Sequence, residues 1–117
     1  EASGTKEAEA ELLTISDLTI NLETREVLRN NESITLTPKE YDLVVYLLTN
    51  KNKIVTREGI LTNVWGYEYE GETNVIDVYI RHLRKKVDEG FSTSLIHTVR
   101  GVGYMMKEEK HEDHDED

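Results

Sequence analysis

Side chains that can bind a nucleic acid cluster on one face of a predicted helix, in the sequence NVIDVYIRHLRKKV that begins at Asn74. Helical periodicity, at about 100° per residue, brings together three kinds of group. They are donors suited to guanine or phosphate, a carboxylate suited to cytosine N4, and an aliphatic group that can meet a thymine methyl. The spacing therefore favours contact with base edges and phosphates in a DNA groove. The residues on this face are Asn74, Asp77, Val78, Arg81, His82 and Lys85, with Arg84 and Lys86 on its flanks.

The opposite face of the same helix is apolar. An apolar stripe of this width has to be buried against the rest of a domain, so the segment is predicted to be an amphipathic helix. A plainer alternative is an ordinary solvated face with Asp77 and Arg81 paired at i,i+4, which is worth only about 0.2–0.5 kcal/mol. The composition of the helix alone leaves both interpretations of its polar face open. The apolar stripe consists of Ile76, Tyr79, Ile80, Leu83 and Val87.

A glycine-tipped hairpin is predicted directly after this helix, over Leu95–Lys107. β-forming residues precede the sequence Arg100-Gly101-Val102-Gly103 and resume at Tyr104, which is typical of strand, tight turn and strand. Arg100 would lie at the tip. From there it has the reach and the charge to enter a minor groove beside the helix, where the potential is most negative. An arginine that is simply solvated is the alternative.

The net charge of −10 at first argues against a nucleic-acid ligand. The charge is unevenly spread, however: residues 1–11 carry −3, residues 108–117 carry −6, and residues 12–107 carry only −1. Within that central part residues 73–107 carry +3 and residues 12–72 carry −4. Because sequence-independent affinity for DNA comes mostly from neutralising phosphates, we expect weak binding by one copy. A second copy or a tether should be needed.

Composition also limits the class of protein. With 117 residues and no internal repeat, the chain is expected to form one domain with a genuine core. It has no cysteine, no apolar run of 18 residues and no signal-peptide pattern, so disulfides and membrane spans are not expected, and a cytoplasmic setting is consistent. No nucleophile with a base, nucleotide-binding glycine loop or acid–base pair is evident. We therefore predict no enzyme activity and no cofactor.

The elements that must position the basic helix can be predicted from local signals. Short β-like runs between Leu12 and Leu36 (LLTI, LTIN, EVLR and SITL) indicate a small antiparallel sheet. Thr37-Pro38-Lys39-Glu40 is a capping box with proline at the first helical position. It predicts a first helix that runs to about Asn50, with Leu36 and Tyr41 as a hydrophobic staple.

A second helix is predicted from Arg57 to about Trp65, capped by Thr56. A loop over residues 66–72 then leads to the basic helix and the hairpin. The fold class is therefore α+β, a winged helix-turn-helix: an N-terminal antiparallel four-stranded sheet, three helices and a C-terminal β-hairpin wing. The domain is predicted to span 12–107. Residues 1–11 should be a disordered linker or cloning remnant, and 108–117 a disordered acidic tail.

Five blocks of this sequence, in order and spacing, resemble the winged-helix DNA-binding domain of the OmpR/PhoB family of bacterial response regulators. The resemblance covers about four-fifths of the chain, and five ordered blocks are highly specific where one alone would be weak. The third helix would accordingly lie in the major groove of double-stranded DNA. The blocks are LTPKEYDLVVYLL, TREGIL, VWGY, NVIDVYIRHLRKKV and HTVRGVGY.

The resemblance implies roles for individual residues. Asp77, Val78 and His82 would approach base edges, and Arg100 would enter the minor groove. His82 and Asn74 stand where many relatives have arginine, which leaves the base that is read and the strength of phosphate binding open. For Trp65 core packing is the alternative, and Tyr79 lies at the edge of the buried stripe. The resemblance, together with the helix face for Lys85, places these residues near phosphates: Trp65, Asn74, Val75, Tyr79, Arg81, Arg84, Lys85, Thr98 and Tyr104.

The loop between the second and third helices is a second candidate contact surface. In the family this connection can touch RNA polymerase, and here it carries Tyr67, Glu68, Tyr69 and Glu70. An ordinary solvated loop is an equally good reading. The tail residues His111 and His114 lie among carboxylates, but without the fixed geometry that a metal site requires, so no metal site is predicted.

The resemblance further implies the output half of a two-component regulator. A receiver domain, absent from these residues, would be phosphorylated by a sensor histidine kinase, and the resulting dimer would bind direct-repeat sites while the isolated domain stays monomeric. The alternative function is a winged helix that binds protein, for example RNA polymerase, or RNA instead of DNA.

Overall fold

The computed structural model describes residues 11–66, 69, 71, 72, 74–91 and 93–110. Most of the predicted linker and acidic tail, including His111 and His114, lies outside the described residues. None of the helices in the described part is long and apolar enough to cross a membrane.

The N-terminal sheet is a four-stranded antiparallel meander, as predicted. Its strands are β1 (Leu12–Ile15), β2 (Leu18–Asn21), β3 (Glu26–Arg29) and β4 (Glu32–Ile34), in that spatial order. The last strand begins one residue earlier than the predicted run at Ser33. The cause is a two-residue turn at Asn30 and Asn31, whose φ angles of 56° and 66° pair Arg29 directly with Glu32.

Helix α1 (Pro38–Thr49) begins with the predicted capping box. The Glu40 amide donates to Thr37 Oγ1 at 3.3 Å, and the Thr37 amide donates to Glu40 Oε1 at 3.0 Å. The helix ends at Thr49, one residue before the predicted end. Asn50 is the C-cap instead, and its amide nitrogen Nδ2 donates to the Tyr46 carbonyl at 2.9 Å.

One strand was missed by the sequence prediction. Strand β5 (Ile54–Thr56) pairs with the wing, whose strands are β6 (Thr93–Val99) and β7 (Gly103–Lys110), so the C-terminal hairpin belongs to a three-stranded sheet in the order β5-β7-β6. A run of three residues is too short for the alternation of apolar and polar side chains that would predict a strand. Its pairing depends instead on a close approach of distant residues, in which Thr56 faces Gly103 across the sheet.

The two remaining helices each end in a wider turn. Helix α2 (Arg57–Ile60) continues as a π-helical turn over Leu61–Trp65, and helix α3 (Asn74–Leu83) continues likewise over Arg84–Asp88. The wing consists of β6 (Thr93–Val99) and β7 (Gly103–Lys110). Both strands extend past the predicted hairpin, and β7 runs three residues beyond the predicted domain end at Lys107.

A single hydrophobic core joins both sheets and the helices. The apolar stripe of α3 enters it as predicted: Ile76, Ile80, Leu83 and Val87 are at most 1% exposed. Tyr79 is only partly buried at the edge of the core. Because one face of α3 is fixed in this way, the other face is held outward on a rigid support.

Candidate nucleic-acid interface

The outward face of α3 presents the polar residues that the helical spacing predicted. Asn74, Arg81, His82 and Lys85 are exposed, whereas Asp77 and Val78 are half-buried. The exposed residues of this face are therefore hydrogen-bond donors. The Asp77 carboxylate instead contacts neighbouring elements.

Asp77 is held by two other elements of the fold. Its Oδ1 accepts a hydrogen bond from Arg57 Nε of α2 at 3.0 Å and another from the Tyr104 hydroxyl of β7. No described residue donates a hydrogen bond to Asp77 Oδ2. The alternative pairing of Asp77 with Arg81 along the helix is not the arrangement found, since Asp77 forms its salt bridge with Arg57 instead.

The local environment keeps Asp77 ionised. Burial raises the pKa of this carboxyl, but hydrogen bonds from Tyr104 and Arg57 and the Arg57 charge outweigh it and lower the pKa below the ordinary value. The partners shift in the opposite direction: burial and the hydrogen bond to Asp77 raise the pKa of Tyr104, and the hydrogen bond to Asp77 raises the pKa of Arg57. A negative charge is thus stable in the middle of an otherwise basic surface.

The outward face of α3 is joined to the wing by Arg84. Its Nη2 donates to Thr98 Oγ1 at 2.6 Å and its Nε donates to the Ile96 carbonyl at 3.2 Å, both on β6. The guanidinium also lies over the ring of Tyr104 at 5.9 Å. Tyr104 was predicted to lie beside a phosphate. In the structure it is only 4% exposed, and its hydroxyl donates to Asp77.

The tip of the wing presents Arg100 as predicted. Arg100 is exposed at the β6–β7 turn, next to Gly101 with a φ of +78° and to Val102, which is 44% exposed. The Val102 amide donates to the Val99 carbonyl at 2.9 Å, which closes the turn. The structure therefore brings the α3 face and a projecting arginine together on adjoining elements.

Trp65 and Tyr79 form an aromatic contact where α2 ends beside α3. Their ring centroids are 5.2 Å apart in an edge-to-face arrangement, and both rings are partly buried. Lys39 lies over the indole at 5.5 Å. Val75 packs against the core as well. These three predicted phosphate neighbours, Trp65, Val75 and Tyr79, thus sit at the rim of the core and not on the outermost surface.

Two charged residues form salt bridges that join α3 to other elements. Lys86, predicted on a flank of the polar face, donates to Glu40 Oε1 at 2.7 Å and so ties α3 to the start of α1. Arg57 was not singled out from the sequence, because its partner Asp77 is 20 residues away and the pairing depends on β5. In the sequence, only the TREGIL block, which contains Arg57, indicated that this segment belongs to the family pattern.

Of the four residues predicted to contact RNA polymerase, the structure describes Tyr69 alone. Its ring is partly buried, 6.4 Å from the ring of Trp65. Tyr67, Glu68 and Glu70 lie outside the described residues. Within the described part of the chain, no three His, Cys, Asp or Glu residues are grouped so that they could hold a metal ion.

Comparisons with known proteins fit this geometry. Residues 31–106 match the family described as "Transcriptional regulatory protein, C terminal". The chain is 54% identical over 95 residues to the uncharacterized transcriptional regulatory protein YkoG of Bacillus subtilis, covering 81% of this chain and 42% of YkoG. It is 42% identical over 102 residues to the response regulator ArlR of Staphylococcus haemolyticus, covering 87% and 47%. The chain thus spans less than half the length of these curated relatives.

Solved structures resemble the chain in the same way. The DNA-binding domain of RstA from Klebsiella pneumoniae, in complex with the RstA box, has a TM-score of 0.73 at 31% identity, covering 83% of this chain and 97% of that one. A streptococcal protein from a family of redox sensors evolved from two-component response regulators has a TM-score of 0.75 at 49% identity, covering 82% and 42%.

Proposed function

The chain belongs to the family of C-terminal domains of transcriptional regulatory proteins, and we propose that it binds double-stranded DNA sequence-specifically as the output domain of a response regulator. Helix α3 enters the major groove, and the β6–β7 turn enters the adjacent minor groove. The observation that carries this proposal is the placement of the exposed α3 face beside Arg100, with Arg84 bridging the helix and the wing.

Roles are proposed for the individual side chains. His82, which is exposed on α3, reads a base edge together with Asp77 and Val78, and Arg100 reads the minor groove. The exposed Asn74, Arg81 and Lys85 neutralise or orient phosphates, because they surround the base-reading residues on the same surface. Five further phosphate neighbours lie at the rim of this surface: Trp65, Val75, Tyr79, Arg84 and Thr98, with Tyr104 buried behind them.

The whole regulator is proposed to be about twice the length of this chain, as in its relatives. In it a receiver domain, phosphorylated by a sensor histidine kinase in the cytoplasm, pairs two copies on direct-repeat half-sites. Such tethering raises the effective concentration of the second domain to about the millimolar range for a short linker. That gain compensates for the near-neutral charge of residues 12–107. The domain itself carries out no catalysis.

RNA polymerase is proposed as a protein partner of the loop that contains Tyr67, Glu68, Tyr69 and Glu70. An acidic and aromatic loop suits a basic protein surface. Reversing the charges of Glu68 and Glu70 is expected to reduce transcription while DNA binding persists. Unchanged transcription in that variant would remove the polymerase contact from the proposal.

The DNA-binding proposal is tested with duplexes selected from a random pool, using the 117-residue chain and a version of it linked in tandem. We expect the tandem to recover direct repeats spaced by about one helical turn. The logarithm of the affinity should fall linearly with the logarithm of the salt concentration. A flat salt dependence and no recovered sequence would favour the alternative, a winged helix that binds protein or RNA.

A further inference from the structure

Arg57 occupies a position from which it acts on base recognition through another residue. It lies on α2, outside the helix that faces the groove, and its Nε donates to Asp77 Oδ1 at 3.0 Å. The side chains of the two partners are 38% and 37% exposed, so the ion pair lies at the boundary between the core and the outward face. A contact in this place fixes the direction in which the carboxylate points.

Tyr104 completes the support from the other side. Its hydroxyl donates to the same oxygen, Asp77 Oδ1, from strand β7, and its ring lies 5.8 Å from the guanidinium carbon of Arg57. Two donors from two separate elements therefore converge on one oxygen of the carboxylate. The described residues place no hydrogen bond on Oδ2, which leaves that oxygen as an acceptor for a ligand.

The position of Arg57 is itself fixed by the backbone. Arg57 follows directly after Thr56, which pairs with Gly103, the neighbour of Tyr104. A Cβ on Gly103 would lie 2.0 Å from the Val55 carbonyl oxygen, so only glycine allows the two strands to approach this closely. The short strand β5 thus places Arg57 and Tyr104 side by side against Asp77.

We propose that Arg57, with Tyr104, is a positioning residue for base discrimination: it occupies Oδ1 of Asp77 so that Oδ2 alone is presented to a base-pair donor such as cytosine N4. This inference rests on the proposed DNA-binding function. Free rotation of an unsupported carboxylate would let it accept from several directions, and a base donor would be recognised less selectively. Discrimination at one base pair thus depends on a residue of α2 that need not touch DNA.

The test compares the affinity of the 117-residue chain for the selected duplex and for each single-base-pair variant of one half-site. In Asp77→Ala we expect discrimination at one base pair to fall by roughly 5-fold to 100-fold. Arg57→Ala should lower discrimination at that same base pair, and the double variant should lose no more than Asp77→Ala alone. Lys53→Ala, which removes a positive charge from an exposed loop, is the matched control and should leave the pattern of discrimination unchanged.

Tyr104→Phe provides a second variant that keeps the aromatic ring. It removes one donor to Oδ1 and should weaken discrimination at the same base pair even if Arg57→Ala does not fold. A uniform loss of affinity across all duplexes in Arg57→Ala and Tyr104→Phe would overturn the inference, because it would indicate a phosphate contact or a general structural role. Additive losses in the double variant would overturn it as well.

The two proposals fail in different ways. Clear base preference in the unmodified chain, together with no change at any base pair in Asp77→Ala, would overturn the positioning role while leaving DNA binding in place. Absence of any base preference in the unmodified chain would overturn both.

Discussion

Arg29 of strand β3 donates a hydrogen bond from Nη1 to the backbone carbonyl of Val87, at the end of the α3 helix, over 2.6 Å. The side chain of Arg29 is completely buried and also contacts Asp17 at 2.5 Å and Asp88 at 3.2 Å. Its Nη2 donates to the Thr93 carbonyl at 2.7 Å and to Thr93 Oγ1 at 2.8 Å. One arginine thus joins the N-terminal sheet, the end of α3 and the start of the wing.

We expect Arg29→Met to lower the free energy of unfolding by about 3–5 kcal/mol, because it leaves buried acceptors and two carboxylates without their cation. Urea denaturation measures the change. Arg25→Met is the matched control, since the pair between Arg25 and Asp42 spans 3.9 Å and both side chains are about half exposed. Such a surface pair contributes less than about 1 kcal/mol. Equal losses in the two variants would contradict the role of Arg29 as a buried link.

The features of the molecule that the sequence predicted are local ones. The capping box at Thr37, the apolar stripe of α3 and the glycine turn of the wing each depend on residues within a few positions of one another. Local periodicity and turn chemistry were therefore enough to predict them, and the fold class is confirmed.

Contacts between distant residues were not predicted. In the sequence, Arg29 has the pattern of an ordinary polar residue at the end of a strand. Its partners Val87 and Thr93 lie about 60 residues away. Arg57 and strand β5 were missed for the same reason, since their partners lie on α3 and β7. The sequence therefore predicted which face of α3 points outward, but not how the Asp77 carboxylate on it is held.

Gly103→Ala is expected to destabilise the domain by roughly 2 kcal/mol or more, because an added Cβ would lie 2.0 Å from the Val55 carbonyl oxygen and push β5 away from β7. Hydrogen exchange of the β5 amides should accelerate. In the control Gly101→Ala, the added Cβ meets open space and strain comes only from the φ of +78°, so exchange in β5 should stay slow. Slow exchange in β5 of Gly103→Ala would show that the strand tolerates the larger residue.

Stability is expected to fall in acid partly through Glu40. Burial raises the pKa of this carboxyl, but hydrogen bonds from Lys86 and Thr37 and the charge of Lys86 lower it below the ordinary value of 4.5. Because the pKa is depressed in the folded state, its contribution to stability is complete above pH 4.5 and is lost as the pH falls through the folded pKa. Free energies of unfolding measured from pH 6 down to about pH 3 should show this decline.

Glu40→Gln tests the assignment of that decline. The variant should be less stable than the unmodified chain near neutral pH, and its stability should depend less on pH in the acid range. Glu23→Gln removes an exposed carboxylate and should leave the pH dependence as it was. An unchanged acid slope in Glu40→Gln would assign the decline to other carboxylates.

His82 and Lys85 are both exposed on α3, less than one turn apart, and allow base reading to be separated from phosphate binding. We expect His82→Ala to relax preference at one base pair at a cost of roughly 1–3 kcal/mol, and Lys85→Ala to weaken binding to all duplexes alike and to lower the salt dependence. Arg84→Ala should also act uniformly, but Arg84 additionally holds β6 through Thr98, so Lys85 is the cleaner comparison. Fluorescence anisotropy with the selected duplex and its single-base-pair variants measures both effects. Uniform weakening in His82→Ala would assign this side chain to the phosphates and leave base reading to its neighbours.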